Sequence, residues 1–356
     1  MKFFILLVLV VSLGCKKGSQ PDSLGNGTNT NQQVGNDELQ IFFGPNPQGH
    51  IAFVNLINSA QKSINLSMFR LTENSDVQAL IAASKRQVKV EIILDREATQ
   101  ASSVIQKIVV DLKNAGVEVK ESTTGFSITH EKAMSIDGTT AIISTMNMTM
   151  GFRTTRDVGV ITKDLDVISE FNAVFEADWI NADNGGIYTP PLTSEKLLWS
   201  PNNSTSKLTG LIRESTKTID LQVENFTNDN ISNALIAAAG RNIQIRILTP
   251  LCSLNPNPLL NIPTLKKLSI GNIQIKVMPN PATAQAPYIH AKTLTVDRIK
   301  SYVGSINFSN NSLNSAREVG IIFKNQDAAE LIRTEFEKDW IQAIVLPIDP
   351  QPADCL

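Results

Sequence analysis

The sequence predicts an α/β protein built twice over, from parallel β-α-β units in tandem, and three observations predict it. The stretch "KSINLSMFRLTENSDVQALIAASKRQVKVEIILD", Lys62 to Asp95, lines up without gaps on "KTIDLQVENFTNDNISNALIAAAGRNIQIRILTP", Lys217 to Pro250, at an offset of 155 residues. The match reaches further on both sides: Phe43-Gly44-Pro45-Asn46 answers Trp199-Ser200-Pro201-Asn202, and Phe175-Glu176-Ala177-Asp178-Trp179-Ile180 answers Phe336-Glu337-Lys338-Asp339-Trp340-Ile341. Self-similarity on this scale is a tandem duplication. Within each copy the apolar spacing changes from strand to helix and back to strand, an order that places helices on the faces of a sheet.

Taken from the N-terminus, Lys2 precedes an unbroken apolar run from Phe3 to Val11, followed by Ser12, Leu13, Gly14 and Cys15. Residues 1–14 read as an export signal. The run is too short to cross a hydrocarbon core of about 30 Å, which takes roughly 20 helical residues. Gly14-Cys15 is similar to the cleavage box of bacterial lipoproteins, although Ser12 stands where that box usually has Leu. The expectation is a lipid anchor on Cys15 of an exported, cell-envelope protein, with a plain secretory signal as the alternative. Residues 15–38 are almost free of apolar side chains and rich in Gly, Asn, Ser and Gln, the composition of a flexible tether.

The first repeat follows over residues 39–183, with "SINLSMF" as strand, "SDVQALIAASKR" as helix and "VKVEIIL" as strand. A linker over 184–195 holds Gly-Gly and Pro-Pro, and the second repeat covers 196–345 with "TIDLQVE", "NISNALIAAAGR" and "IQIRIL" in the same roles. A tail over 346–356 ends the chain. The second copy carries five extra residues around "PNPATAQAP", a place where a loop near a site can differ in length.

Composition narrows the chemistry. The 356 residues are 42% hydrophobic and 19% charged, enough apolar material for one large domain or two ordinary ones. The 32 Lys and Arg against 34 Asp and Glu give a net charge of −2, which advertises no polyanionic partner and weighs modestly against nucleic acid. With three cysteines, three histidines and neither a C-x-x-C nor an H-E-x-x-H run, neither metal site nor cofactor is expected. With Cys15 acylated, Cys252 and Cys355 remain, and both a disulfide and two separate thiols stay open.

The chemistry-bearing block is also doubled. "THEKAMSIDG" places His130, Lys132 and Asp137, and "IHAKTLTVDR" places His290, Lys292 and Asp297, so both read H-x-K-x-x-x-x-D. Residues two apart in a strand share a face, which sets each histidine beside its lysine. Asp137-Gly138 is a hairpin turn signal leading into the β-rich "TTAIIST". Asn147 and Asn307 each lie 17 residues past the histidine, in "STMN" and "GSIN", and "TRDVGVI" and "AREVGII" set Asp157 and Glu318 in equivalent places. The third histidine, His50, matches neither motif and is expected at the surface or at a helix start. Trp179 and Trp340 are expected to pack in the core.

This pattern resembles the phospholipase D superfamily, whose signature is two H-x-K-x4-D motifs, each followed by a G-S-x-N-like turn. The resemblance covers residues 39–345. It implies two α-β-α sandwich repeats about a pseudo-twofold axis, with the motifs meeting in one shared, metal-free phosphodiesterase site. It implies a catalytic set of His130, Lys132, Asp137, His290, Lys292 and Asp297, and phosphate contacts from Asn147, Asn307, Thr145 and Ser305. Asp157 and Glu318 would orient the imidazoles, each serving the opposite repeat. Asp137 and Asp297, at strand ends seven residues past the histidines, read better as turn and framework groups than as phosphate contacts. Ser144-Thr145 departs from the pattern that Gly304-Ser305 keeps, which puts in question how closely the first turn approaches a phosphate.

Cleaving a phosphodiester without a metal takes a nucleophile, a proton donor and positive charge around the phosphoryl oxygens. One imidazole attacks phosphorus to give a phosphohistidine, while the other protonates the leaving oxygen and then activates water. By analogy with relatives His130 attacks and His290 is the acid, although the sequence does not itself break that symmetry. The expected substrate is a phospholipid head-group diester and the expected state a monomer tethered to membrane. The alternatives are an endonuclease, under which nucleic acid is the partner, a head-group transferase, and a non-catalytic surface binding protein on a retired scaffold.

Overall fold

The computed structural model describes residues 38–46 and 50–355; the leader, Cys15 and the tether through residue 37 lie outside the described residues. In the first repeat seven strands form: β1 (Leu39–Gly44), β2 (Ser63–Met68), β3 (Lys89–Leu94), β4 (Glu118–Glu121), β5 (Lys132–Ile136), β6 (Thr140–Ser144) and β7 (Thr155–Thr162). They lie side by side as β1-β7-β6-β5-β2-β3-β4. The second repeat has β8 (Leu197–Ser200), β9 (Thr218–Gln222), β10 (Gln244–Pro250), β11 (Ile273–Met278), β12 (Tyr288–Ile289), β13 (Thr293–Val296), β14 (Lys300–Gly304), β15 (Glu318–Lys324) and β16 (Ile344–Val345). Its sheet reads β8-β15-β14-β13-β9-β10-β11-β16, the first order over again with β16 added at the edge.

Between strands of the same repeat, parallel pairing is confined to β2-β3-β4 and β9-β10-β11, the strands joined by helical crossovers. The other half of each sheet is antiparallel, so the expectation of parallel units holds for only part of each repeat. The reason is local. Asp137 and Gly138 adopt φ of 55° and 64°, and Asp297 and Arg298 adopt 53° and 60°, and two successive left-handed residues turn a strand straight back on itself.

Three apolar cores result. One lies within each repeat, between its sheet and outer helices, and a third is shared, joining Ile143, Val158 and Val160 of the first sheet to Val303, Val319 and Ile321 of the second. Phe171 and Phe175 of the helix Leu165–Asn184 and Phe336 of the helix Gln326–Gln342 fill the same layer, with Trp179 and Trp340 packed against it. Lys120 and Lys276 sit 4.5 Å and 5.0 Å above those two indoles.

The two long helices also lock the repeats together ionically. Arg317 donates to Asp178 at 2.8 Å, and Arg156 donates twice to Asp339 at 2.7 Å and 3.0 Å, so each arginine grips the helix of the other repeat. All four side chains are buried. Burying such charges is tolerable only with further hydrogen bonds, which Arg156 finds at Gly44 O and Arg317 at Thr189 and Asn202. Removing one partner would strand a buried charge, at a cost of about 3–5 kcal/mol.

The linker is tied down as well: Glu170 accepts from the backbone of Thr193 and Ser194 and from the indole of Trp199. Cys252 and Cys355 form a disulfide, settling that open pairing and clipping the tail to the loop after β10. Among the described residues no helix is long and apolar enough to cross a membrane.

Candidate active site

Each motif histidine precedes a central strand of its own repeat but is held in place by the other repeat. His130 donates its backbone N–H to Arg317 O at 2.8 Å, and His290 to Arg156 O at 3.1 Å. Around these contacts β12 pairs in parallel with Thr155 and Arg156, and Thr129 bridges Arg317. Neighbouring residues in a strand point to opposite faces. So while Arg156 reaches the far helix, Asp157 turns inward, and its Oδ1 meets His290 Nδ1 at 2.7 Å. Arg317 and Glu318 repeat the arrangement, with Glu318 Oε2 at 3.0 Å from His130 Nδ1. With both Nδ1 atoms engaged, Nε2 of each ring is the nitrogen left to react.

The lysines fold back beside their histidines. Lys132 Nζ donates to His130 O at 2.8 Å and Lys292 Nζ to His290 O at 2.5 Å, and neither side chain is exposed to solvent. Asn307 Oδ1 accepts from Asn225 N at 3.1 Å, which leaves its NH2 group as the part available to an anion. Asn147 Oδ1 is buried without a hydrogen-bond partner among the described residues.

Two expectations are corrected. Thr145 and Ser305, expected on the phosphate, are fully buried against the strands that carry the carboxylates: Thr145 Oγ1 donates to Asp157 Oδ1 at 2.6 Å, and Ser305 Oγ exchanges hydrogen bonds with the backbone of Val319. Their hydroxyls steady the orienting groups. Asp137 and Asp297, carried in the catalytic set by the motif, instead accept the backbone N–H groups of Gln61, Lys62 and Ser63 and of Thr216, Lys217 and Thr218. Hairpin turns placed them there, so the framework reading stands. Close packing demands glycine at position 304, where a Cβ would lie 2.4 Å from Gly320 Cα and 3.1 Å from the Tyr302 hydroxyl, and Ile142 stands in the place of Tyr302 in the first copy. His50 starts the helix Ile51–Ser59 but is not on the surface; it is buried, with Nδ1 2.5 Å from Asp76 Oδ2 and its ring against Phe152.

The two halves of the site are electrostatically unlike. Burial lowers His130 well below the usual histidine value, and the charges of Lys132, Lys292 and His290 act in the same direction. That the second repeat's lysine and histidine act on His130 is itself a measure of how the motifs converge. Burial and the neighbouring Lys292 bring Lys132 down to about 7. Burial pushes Glu318 up to about 8, against the pull of Lys132, so at neutral pH the His130–Glu318 pair holds one proton between its two members. Asp157 is the opposite case: burial would raise it, but the charge and hydrogen bond of His290, with the hydroxyls of Thr145 and Thr155, hold it at about 2.

Two residues that the sequence reading passed over account for much of this difference. Phe69, just past β2, packs its ring 4.8 Å from the His130 ring, with Lys132 Nζ 5.1 Å from its centroid. Glu224, the residue matched to it in the second copy, has Oε2 at 2.9 Å from Lys292 Nζ and 3.7 Å from His290 Nε2. Burial would raise Glu224, but the charges of Lys292 and His290 and hydrogen bonds from Lys292 and Tyr288 hold it at about 2. The available signal was the phenylalanine-to-glutamate exchange inside a gap-free repeat match. Arg156 and Arg317 were likewise legible as a matched pair, one residue before each carboxylate.

Comparisons with known proteins agree with this architecture. The family model "Cardiolipin synthase, PLD-like domain" matches residues 53–179 and again 208–340, once in each repeat. Phospholipase D Z of Dictyostelium discoideum is 22% identical over 421 residues, spanning 96% of this chain and 98% of that protein. Mitochondrial cardiolipin hydrolase of Xenopus laevis is 28% identical over 144 residues, 39% of this chain and 66% of that protein. The crystal structure of phosphatidylserine synthase from Haemophilus influenzae Rd KW20 shares the fold, with a TM-score of 0.64 at 11% identity over 90% of this chain and 92% of that one. With both repeats matched, the chain belongs to the cardiolipin synthase, PLD-like domain family of the phospholipase D superfamily and is a phosphodiesterase-type enzyme.

Proposed function

We propose that the enzyme cleaves the head-group phosphodiester of a phospholipid through a phosphohistidine on His130. The observation that carries the reading is the crossed pairing of the rings, His130 with Glu318 and His290 with Asp157, which occupies Nδ1 of each ring from the opposite repeat and supports a joint role for the two Nε2 atoms. Once the pair has released the proton it shares, the neutral His130 ring donates its Nδ1–H to the Glu318 carboxylate and attacks phosphorus with Nε2. A P–N bond forms, the P–O bond to the leaving alcohol breaks, and His290 hands its proton to the departing oxygen. Water then enters, gives its proton to His290 and attacks phosphorus, and the P–N bond breaks to release the phosphatidic product. Lys132, Lys292, Asn147 and Asn307 hold the phosphoryl oxygens throughout. The unlike surroundings support the division of labour. His130 lies among cations and Phe69, while His290, which must carry a proton, has an anion beside each ring nitrogen.

The test is to incubate the full chain with labelled phosphatidylcholine and a primary alcohol. The expected result is phosphatidyl alcohol alongside phosphatidic acid, at a rate unchanged by a chelator, because lysine and asparagine side chains supply the charge. Cleavage of plasmid DNA without lipid turnover would move the reading to the endonuclease, and inactivity on both would move it to a binding protein.

The same electrostatics make a pH prediction for anion binding. As pH rises, Lys132 loses its positive charge near 7 and Glu318 gains a negative one near 8. Both changes disfavour an anion in the site. Inhibition by a slowly cleaved dialkyl phosphate, whose own charge is fixed over this range, is expected to weaken at least about tenfold from pH 6 to pH 9, since each linked proton is worth roughly tenfold per pH unit. A Ki that is flat or tightens with pH would contradict it.

We further propose that the protein is exported and anchored by a lipid on Cys15, on the strength of the leader pattern alone. Incorporation of labelled fatty acid in a bacterial host should be lost in Cys15→Ala; unchanged labelling would remove the anchor from the account.

A further inference from the structure

The matched repeats differ at several positions on the two rims of the site, among them Phe69 against Glu224, Arg70 against Asn225, and Ile128 against Tyr288. The first rim is aromatic and cationic, with Arg70 stacked 5.0 Å from the Phe69 centroid. The second is a polar network around a carboxylate. Tyr288 donates its hydroxyl to Glu224 Oε1 at 3.1 Å and accepts from Leu254 N at 3.1 Å. Asn225 Oδ1 accepts from Ser253 Oγ at 2.8 Å and Asn255 Nδ2 at 2.9 Å. Asn261 fixes the backbone on either side of Asn225, donating to Glu224 O and accepting from Phe226 N. These loop residues lie beside Cys252, whose disulfide to Cys355 pins the loop.

Asp157 occupies Nδ1 of His290, so the leaving oxygen has to approach Nε2, within roughly 2.6–3.2 Å for proton transfer. Glu224 Oε2 stands 3.7 Å from that same nitrogen and therefore borders the leaving group. A carboxylate offers about four acceptor positions, and Lys292 and Tyr288 take two of them. An alcohol bearing a second donor, hydroxyl or ammonium, a few bonds from its ester oxygen can use the remainder. An anionic alcohol meets a like charge, and an alkyl alcohol leaves the acceptors unpaired.

We propose that Glu224, Tyr288 and Asn225 form a leaving-group subsite selective for small alcohols that carry a second hydrogen-bond donor, against alkyl and anionic ones. The inference rests on the reading of His290 as proton donor. An acceptor alcohol returning to the phosphoenzyme occupies the leaving-group position, so competition between acceptors reads the subsite directly.

The full chain is given phosphatidylethanolamine, whose departing alcohol carries an ammonium donor, with equimolar glycerol and 1-propanol, and separately with glycerol and glycerol 3-phosphate. In both mixtures the glycerol product is expected to lead by roughly tenfold, the scale of one net hydrogen bond. Glu224→Gln is expected to bring the glycerol to propanol ratio to within about threefold of unity, and Tyr288→Phe to narrow it in the same direction. A ratio is read from whatever product forms, so a slower variant still reports. A wild-type ratio near one, a ratio unchanged in both variants, or phospholipid consumed with no alcohol product would overturn the subsite while leaving diester cleavage in place. No turnover of any phospholipid would overturn the proposed function first, and the subsite with it.

Discussion

Exchanging His130 for asparagine should lower kcat by about 10^4-fold or more, the scale of loss when a covalent nucleophile is removed. The loss should be the same for a natural phospholipid and for a p-nitrophenyl phosphodiester, because no leaving group, however good, replaces the attacking nitrogen. His290→Asn should behave differently. Its acid duty, typically worth about 10^2- to 10^4-fold, is bypassed when the leaving group is nitrophenolate, so this variant should keep most of its rate on the activated diester. Steady-state kcat for both variants on both substrates makes the comparison. Rescue of His130→Asn in place of His290→Asn would reverse the assigned roles.

Asp157→Asn should cost about 10^2- to 10^4-fold in kcat on the natural lipid, as when a carboxylate that fixes an imidazole tautomer becomes an amide. The carboxylate is buried and held at about 2, so at working pH it is the anion that is lost. Because Asp157 acts through His290, its variant should follow His290→Asn and not His130→Asn, losing much less on the p-nitrophenyl diester. That pattern would be notable because Asp157 belongs to the first repeat and His290 to the second. Equal losses on the two substrates would mean that Asp157 supports the fold of the whole site and not the acid.

Much of this arrangement was legible before any coordinates. The doubled H-x-K-x4-D blocks and the matched acidic residues carried the resemblance to the phospholipase D superfamily, and it was that resemblance which implied that the two motifs meet. The crossed partnership of Asp157 and Glu318 followed from pseudo-symmetry and is the geometry found. Less legible was anything decided by which way a side chain turns at a strand end. Thr145 and Ser305 pack inward under the carboxylates, and His50 is buried against Asp76 and under Phe152, the latter 102 residues further along the chain, contacts that local patterning does not encode. Glu224 was missed for another reason. It interrupts the repeat match, and attention to what the copies share hides the positions at which they part.

The most direct test is to find the phosphorus on the enzyme. Mixing the full chain with a slowly released diester, quenching in alkaline denaturant and mapping the peptides by mass spectrometry should place the phosphoryl adduct on the peptide that contains His130, with none on the peptide that contains His290. An adduct on His290, or turnover proceeding with no adduct on either ring, would contradict the account.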